Sequence, residues 1–273
     1  MISVLRPESI KDLLSILDSE NKNFLFIAGG TDVMPSIKKG IEKREDLIDL
    51  SFLKKELSGI YEEDNNVVIN SLTTFAKIQK SELIKKHFPS LLKASKTIGG
   101  YTIQNMATIA GNIVNASPAA DSLPVLLSLG TKLVLLSSKG ERAVDLKDFY
   151  KGYKQLELKN NEIISKIVIP LKEGFNSDFI EVGTRKAMSI TKVSLAYSYK
   201  DKEILLAAGS VFAYPKRLFE TEKVFFKNGL SKSDFEEILK KDVSPIDDIR
   251  SSGDYRFKVL RNLLYNLYEE VNL

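Results

Sequence analysis

The sequence predicts an α+β fold in which two α/β subdomains precede a C-terminal domain with a three-stranded antiparallel sheet and three helices. In the first part of the chain, helical patterns alternate with short apolar runs that are typical of strands. A polar stretch without periodicity, residues 171–177, separates them from three strand patterns followed by three helical patterns. We therefore expect a first domain over residues 1–172, with subdomains at about 1–55 and 56–172, and a second over residues 173–273.

The first subdomain is predicted from three elements. Ser9, followed by apolar residues at helical spacing, predicts an amphipathic helix over residues 9–18. The continuous apolar run Phe24–Ile27 is typical of a strand buried on both faces, and it leads directly into a glycine pair. A second strand at residues 47–50 would complete a small βαβ-like unit.

The second subdomain is predicted to combine hairpins and helices. Polar residues between two apolar runs indicate a hairpin, and threonine or proline at a helix start favours helix formation. The expected elements are a hairpin from Ile60 to Ile69, helices from Thr73 or Thr74 to about Lys86, from Pro89 to before Gly99 and from Leu123 to Leu129, a hairpin that starts at Leu133–Leu136 and turns at Lys139-Gly140, and a last strand from Ile163 to Ile169.

The C-terminal domain is predicted from strands first and helices second. Ser233 and Glu236 have the spacing of a capping box at the start of the second helix. The expected strands are 179–182, 194–199 and 204–208, and the expected helices are 216–227, 233–241 and 254–270.

The composition excludes several kinds of site. Among 273 residues there is no cysteine, which excludes disulfides, thiolate nucleophiles, cysteinyl-linked flavin and an iron–sulfur cluster of this chain's own. The single histidine, His87, ends a predicted helix, where a cation near the C-terminal carbonyls is a simpler interpretation than a covalent flavin link. The net charge of +4, with both signs interspersed, argues against nucleic-acid binding. Without a long apolar run or a leader pattern, we expect a cytoplasmic protein with no membrane span.

Residues 97–124 are rich in glycine and in small hydroxyl and amide residues, and they contain no lysine or arginine. We therefore expect this stretch to bind a large, polar, phosphorylated ligand through backbone N–H groups rather than through cationic side chains. The loop Ala28–Asp32 follows a predicted strand, where consecutive N–H groups can hold a pyrophosphate. Taken alone, this loop could equally be a tight turn without a ligand.

In their order, these motifs resemble the flavoprotein (medium) subunits of the molybdenum hydroxylases, the family of xanthine, carbon monoxide and nicotinate dehydrogenases. The resemblance covers essentially the whole chain and implies a PCMH-type FAD-binding domain followed by the C-terminal domain of that family. The matching segments are Ala28-Gly29-Gly30-Thr31-Asp32, Thr97-Ile98-Gly99-Gly100, Ala107-Thr108-Ile109-Ala110-Gly111-Asn112, Ala116-Ser117-Pro118-Ala119-Ala120-Asp121, Arg185-Lys186-Ala187-Met188, Gly209-Ser210-Val211 with Pro215, and Arg250-Ser251-Ser252 with Tyr255-Arg256.

The resemblance implies non-covalent FAD between the two subdomains, with the pyrophosphate at residues 26–33. Residues 97–100 and 108–112 would close over ribose, phosphate and ring. Asp121 would offer a hydrogen bond to ribose or flavin, although it could also cap the next helix. No catalytic residue and no metal ligand is assigned to this chain. The implied FAD contacts are Phe26, Ile27, Ala28, Gly29, Gly30, Thr31, Asp32, Val33, Thr97, Ile98, Gly99, Gly100, Thr108, Ile109, Ala110, Gly111, Asn112, Asp121 and Ile164.

Three positions depart from the family pattern. Ala110 stands where a glycine is usual, so the backbone approach there is more crowded unless Ala110 has negative φ. Glu181 aligns with a family lysine near the flavin, and Ser189 stands where an aspartate is common. For Arg250, Tyr255 and Arg256 we favour packing between domains or subunits over ligand binding.

The resemblance also implies partners. The chain would be the oxidoreductase subunit that takes electrons from an iron–sulfur [2Fe–2S] small subunit, which drains a molybdopterin large subunit, and passes them to NAD or another acceptor. Two alternatives are a non-catalytic scaffold of the same fold and a free-standing flavin reductase. The sequence does not indicate the substrate of such a complex.

Overall fold

The computed structural model describes residues 3–19, 24–40, 46–185 and 188–272. Its N-terminal part is a small parallel sheet in the order β1-β3-β2. Ser9 caps the first helix, as predicted, because its hydroxyl accepts a hydrogen bond from the Asp12 N–H at 3.1 Å. The elements are β1 (Ser3–Leu5), α1 (Ile10–Ser19), β2 (Leu25–Ile27), α2 (Val33–Lys38), β3 (Asp46–Asp49), a 3-10 turn (Leu50–Leu53) and α3 (Lys54–Leu57).

The prediction that the strand before the glycine pair is buried on both faces is wrong. Leu25, Phe26 and Ile27 are all half-buried, and Leu25 and Phe26 line a cavity. The continuous apolar run therefore reflects a strand beside a large pocket, with Phe26 also packed against the core.

The second part of the chain is built on a five-stranded antiparallel sheet in the order β4-β5-β10-β6-β7, with helices and a small hairpin around it. The strands are β4 (Ile60–Glu63), β5 (Asn66–Asn70), β6 (Lys132–Ser137), β7 (Gly140–Asp145) and β10 (Ile163–Pro170), with the hairpin β8 (Tyr150–Gly152) and β9 (Gln155–Leu156). The helices are α4 (Phe75–Lys80), α5 (Glu82–His87), α6 (Pro89–Thr97), α7 (Tyr101–Met106), α8 (Ile109–Asn115), α9 (Ser122–Ser128) and α10 (Leu146–Phe149).

One predicted helix is in fact two. The pattern from Thr74 to Lys86 is interrupted at Ser81, whose backbone is extended and whose hydroxyl accepts from the Ile84 N–H at 3.4 Å. Ser81 thus ends α4 and caps α5, because serine offers the backbone an alternative to the helical hydrogen bond. The short helices α7 and α8 were not predicted, since glycine and amide residues hide their helical spacing.

The C-terminal part has one strand more than predicted. The strands β11 (Asn176–Val182), β12 (Val193–Lys200), β13 (Glu203–Gly209) and β14 (Lys216–Arg217) form an antiparallel sheet in chain order. The helix expected from residue 216 begins only at α11 (Phe219–Val224), because β14 occupies its first residues. The capping box of α12 (Lys232–Asp242) uses Ser231 and Asp234 instead of Ser233 and Glu236. The last helix is α13 (Gly253–Asn272).

The C-terminal sheet packs onto the second part of the chain. Strands β11, β12 and β13 contact α6 and α9, and Phe179, Ala196 and Ala207 belong to the same apolar core as Leu123. The loop between β10 and β11 lies at the predicted boundary, residues 171–177, and the division into two domains stays a prediction. Within the described residues, no helix has the length and apolar character of a membrane span.

Candidate functional site

A cavity of about 1150 Å³ is the main candidate site. Its walls come from the loop between β2 and α2, from residues 97–121, from residues 153–164, and from C-terminal residues that include Thr191 and Arg256. Sites for small molecules and cofactors are usually on the order of 300–1,000 Å³, so this cavity can hold a ligand of dinucleotide size.

Most of the residues implied by the resemblance lie on this cavity. Three do not: Ile27 is half-buried but is not part of the cavity wall, Ile109 is fully buried in the core, and Gly100 lies beside the Met188 side chain. The cavity walls include Phe26, Ala28, Gly29, Gly30, Thr31, Asp32, Val33, Thr97, Ile98, Gly99, Thr108, Ala110, Gly111, Asn112, Asp121 and Ile164.

The loop before α2 offers backbone donors to the cavity. Gly30 has φ +69°, a conformation that favours glycine. Among the described residues, no acceptor bonds the N–H groups of Gly30, Thr31, Asp32 or Val33. Because buried or half-buried N–H groups normally have partners, a run of free donors beside a large cavity fits an anionic ligand such as a diphosphate.

The first turn of α8 does not offer such donors, contrary to the expectation for residues 108–112. Each of its four N–H groups already bonds an acceptor within the protein, so this segment contributes to the cavity through side chains. The bonds run from Ile109 to Thr73 O (3.0 Å), from Ala110 to Ser71 O (3.3 Å), from Gly111 to Thr108 Oγ1 (3.2 Å) and from Asn112 to Thr108 O (3.0 Å).

The substitution of alanine for the usual glycine at residue 110 is accommodated without strain. Ala110 lies inside α8 with negative φ, and its side chain is buried at the cavity wall. The crowding expected at this position therefore does not arise. Gly111 is the tighter position, since a Cβ there would lie 2.9 Å from Thr108 Oγ1.

Cationic side chains from distant segments also line the cavity, which corrects the expectation of anion binding through backbone alone. Lys154 lies in the turn between β8 and β9, in the left-handed conformation with φ 54°, and Lys159 precedes β10. Burial raises the pKa of Asp32, and the positive charge of Lys154 acts in the opposite direction. Lys154 and the loop of free N–H groups therefore line the same cavity, and the charge of Lys154 acts on Asp32 in that loop.

Asp121 stands at the N-cap position of α9 but makes no capping hydrogen bond. Its carboxyl instead accepts from Thr97 Oγ1 at 2.9 Å and from Thr191 Oγ1 at 2.5 Å. Burial raises its pKa to about 6; the hydrogen bond from Thr191 lowers it, the charge of Glu181 raises it, and the hydrogen bond from Thr97 lowers it. The N-cap interpretation of Asp121 is therefore wrong.

Two of the departures from the family pattern lie beside Asp121. Glu181 Oε1 contacts Thr191 Oγ1 at 3.2 Å, and burial raises the pKa of Glu181. Ser189 lines the cavity, and its hydroxyl accepts from the Thr184 N–H at 3.0 Å. The cavity wall here thus carries the Asp121 carboxyl and several hydroxyl groups, and a second carboxyl, that of Glu181, contacts Thr191.

Ile164 reaches the cavity at a break in strand register. Strand β10 is irregular between Ile164 and Lys166, and the carbonyl of Ser165 accepts from the Ser71 N–H at 3.0 Å. Such a bulge bends the strand and turns Ile164 toward the cavity wall.

The C-terminal arginines lie closer to the site than expected. Arg256 is buried, donates from Nη1 to the carbonyls of Lys192 (3.0 Å) and Ser210 (2.9 Å), and pairs with Asp248 at 2.7 Å. These contacts fit a packing role within the C-terminal part, yet Arg250 and Arg256 also line the cavity.

Two further predicted features lie elsewhere. His87 lies in the last turn of α5, with its ring beside Phe88, and is not part of the cavity wall. In the motif at residues 185–188, Lys186 and Ala187 are outside the described residues, while Arg185 donates to the Met188 carbonyl at 2.7 Å.

The chain is similar to known proteins over almost its whole length. Residues 1–172 match the family model described as the FAD binding domain in molybdopterin dehydrogenase. The chain is 31% identical to the glyceraldehyde dehydrogenase medium chain of Sulfolobus acidocaldarius, over 98% of each chain. It is 28% identical to the xanthine dehydrogenase FAD-binding subunit of Escherichia coli O157:H7, over 97% of this chain and 94% of that one.

A solved structure extends the likeness to the fold. The model superposes on a chain of reconstituted CO dehydrogenase from Oligotropha carboxidovorans with a TM-score of 0.89 and 25% identity, covering 97% of this chain and 96% of that one. The predicted α+β fold of PCMH type and the predicted cofactor are confirmed. The chain therefore belongs to the FAD-binding flavoprotein subunits of the molybdopterin dehydrogenases, a family of oxidoreductases.

Proposed function

We propose that the chain holds FAD non-covalently in the cavity and serves as the electron-transfer subunit of a molybdopterin-dependent dehydrogenase. In this role it takes electrons from a [2Fe–2S] partner subunit and passes them to NAD or another acceptor. The observation that carries the proposal is the run of free N–H groups from Gly30 to Val33, near the Lys154 charge, in a cavity of dinucleotide size.

FAD, when bound, supplies the redox chemistry, because its ring exchanges electrons singly or in pairs. The chain's own residues would bind, orient and shield it. The N–H groups of Gly30–Val33 and the Lys154 ammonium would neutralise the diphosphate, and the Asn112 side chain, whose Oδ1 accepts from Ser122 at 2.6 Å, would present its amide donors to the cavity. Phe26 and Ile164 would exclude water from one wall.

The remaining components of the proposed enzyme would come from partner chains. This chain has no cysteine, and its described residues contain no group of three or more histidine or acidic side chains placed to hold a metal. The names of the relatives, medium chain and FAD-binding subunit, denote parts of larger enzymes. We therefore propose an iron–sulfur small subunit and a molybdopterin large subunit as partners, in a cytoplasmic complex.

Expression of the chain alone and together with candidate partners tests the proposal. The isolated chain should carry about one FAD, released intact by acid, and should not oxidise xanthine, nicotinate or aldehydes. Co-expression with a ferredoxin-like subunit and a molybdopterin subunit should give substrate-dependent bleaching of the flavin absorption.

Three outcomes would contradict the proposal. A folded chain without flavin absorption would favour the scaffold alternative. Rapid reduction of acceptors by NADH with the isolated chain would favour a free-standing flavin reductase. Flavin that stays with acid-precipitated protein would exclude non-covalent binding.

A further inference from the structure

The cluster around Asp121 has fewer protons than hydrogen-bonding contacts. Thr97 Oγ1 lies 2.8 Å from the Ala94 carbonyl and 2.9 Å from Asp121 Oδ2. Thr191 Oγ1 lies 2.5 Å from Asp121 Oδ1 and 3.2 Å from Glu181 Oε1. A threonine hydroxyl has a single proton, so two hydroxyls can donate to two of these four acceptors.

One added proton on Asp121 would supply a third donor for these contacts. If Asp121 carries a proton on Oδ2 and donates it to Thr97, then Thr97 can donate to Ala94 and Thr191 can donate to Asp121 Oδ1. The three shorter contacts are then hydrogen bonds, and the unfilled contact is the longest one, to Glu181 at 3.2 Å. The geometry around Asp121 can thus accommodate the carboxylic acid as well as the carboxylate.

The charged groups near Asp121 do not supply a direct cationic partner. Arg256, the buried cation of the neighbouring segment, is engaged by two backbone carbonyls and by Asp248, and Lys192 lies over the Tyr255 ring. The charged residues on the elements around Asp121 are Lys93 and Lys96 of α6, Asp178 and Glu181 of β11, Arg185 and Lys192 before β12, and Asp248, Arg250 and Arg256 around the start of α13. Elsewhere the cavity carries Asp32, Lys154, Lys159 and Glu162.

We propose that FAD binding in this cavity is coupled to the uptake of a proton by Asp121, held between the hydroxyls of Thr97 and Thr191. The inference rests on the proposed function, namely that the cavity binds FAD. The diphosphate brings negative charge into a cavity whose wall already holds the Asp121 carboxyl, while the Glu181 carboxyl contacts the wall residue Thr191. Added negative charge favours the neutral form of a carboxyl group. A burial-raised pKa of about 6 for Asp121 makes this exchange accessible near neutral pH.

Calorimetric titration of the flavin-depleted chain with FAD tests the coupling. Titrations in pairs of buffers with different heats of ionisation, between about pH 6 and pH 8, should show uptake of up to about one proton per FAD. The affinity for FAD should fall by up to about tenfold for each unit by which the pH is raised. In Asp121→Asn, whose amide copies the neutral acid in shape, uptake should vanish and affinity should no longer depend on pH in this range.

A matched variant distinguishes Asp121 from Asp32, which lies in the loop of free N–H groups. Asp32→Asn should retain most of the uptake, although Asp32 also lines the cavity. Glu181→Gln should shift the pH range of uptake downward, because the charge of Glu181 raises the pKa of Asp121.

The possible failures are distinct. No heat of binding would overturn the proposed function. Binding with no proton uptake, with proton release, or with uptake that survives in Asp121→Asn would overturn the inference alone. If Asp121→Asn does not fold, carbon-13 NMR of aspartate-labelled native protein replaces it. A carboxyl signal that titrates near pH 6, with a midpoint that rises when FAD is added, supports the coupling. Titration of every aspartate below about pH 5, with and without FAD, refutes it.

Discussion

Gly29 and Met106 are in backbone contact: a Cβ added to Gly29 would lie 1.9 Å from the Met106 carbonyl oxygen. Met106 ends α7, so the loop before α2 rests directly on the segment that leads into α8. The two glycine motifs, far apart in the sequence, are therefore one structural unit, and Gly29 is needed for the contact between them rather than for close approach of a ligand.

Gly29→Ala should therefore displace the loop of free N–H groups. We expect loss of most bound FAD and a decrease of about 1–3 kcal/mol in the free energy of unfolding, as for an overpacked contact. Flavin absorbance per chain and urea unfolding measure the two effects. The control is Gly229→Ala, because Gly229 has φ +77° and open space around it. This variant should lower the free energy of unfolding by about 1 kcal/mol and still retain FAD. Equal loss of FAD in both variants would contradict the role of the Met106 contact.

Lys154→Gln should weaken FAD binding by about tenfold, because it removes a positive charge near the loop that holds the diphosphate. The dependence of affinity on salt should decrease in parallel. Fluorescence titration of the flavin-depleted chain measures both. Lys151→Gln, in the same hairpin but paired with Glu157, should change the affinity by less than about twofold. If the two variants behave alike, Lys154 has no special part in binding.

Arg256→Gln should decrease the free energy of unfolding by about 3–5 kcal/mol, since it leaves two backbone carbonyls and the Asp248 carboxylate without their buried partner. Arg250 pairs with the same carboxylate, but its side chain is 40% exposed. Arg250→Gln should therefore lower the free energy of unfolding by less than about 1 kcal/mol. Urea unfolding of both variants in parallel gives the comparison. A small effect of Arg256→Gln would show that the segment around Asp248 contributes little to stability.

Glu162→Gln should make the free energy of unfolding less dependent on pH in the acidic range. The Arg142 guanidinium holds Glu162 at 2.7 and 2.8 Å and lowers its pKa, so the ionised form stabilises the fold. A lowered pKa in the folded state means that the stabilisation is present above the unfolded pKa, about 4.5, and is lost as the pH falls through the folded value. We expect a decrease of about 1–2 kcal/mol at pH 7 that disappears in acid, measured by unfolding at a series of pH values. A difference that persists below the folded pKa would contradict the ion pair as its cause.

The sequence predicted the elements that depend on local pattern. The apolar runs of β5, β6, β10, β12 and β13, the caps at Ser9 and Thr74, and the helix start at Pro89 all follow from residue spacing and backbone preference. The glycine loops also stand where expected. Local rules are sufficient here because these features involve residues within a few positions of each other.

Several of the errors arise where distant segments decide the outcome. The N–H groups after Thr108 are occupied because Ser71 and Thr73 lie beside them, and no local pattern indicates that neighbourhood. Lys154 lies in a hairpin turn whose sequence is typical of an ordinary surface loop. Its role depends on the position of that hairpin at the cavity wall. Capping of its own helix was one of two interpretations of Asp121, but Thr97 and Thr191 engage its carboxyl instead.

The position of Arg256 has a consequence for the newly made protein. Helix α13 follows the other segments of the cavity wall in the sequence, and its Arg256 joins Lys192 to Ser210 at the edge of the cavity. Ribosomes add roughly 5–20 residues per second, so the wall residues up to Phe212 emerge a few seconds before this helix. The pocket is thus completed only once α13 has been synthesised, so full enclosure of the cofactor is a late step, and a nascent chain arrested before α13 would expose an unfinished pocket to chaperones and proteases.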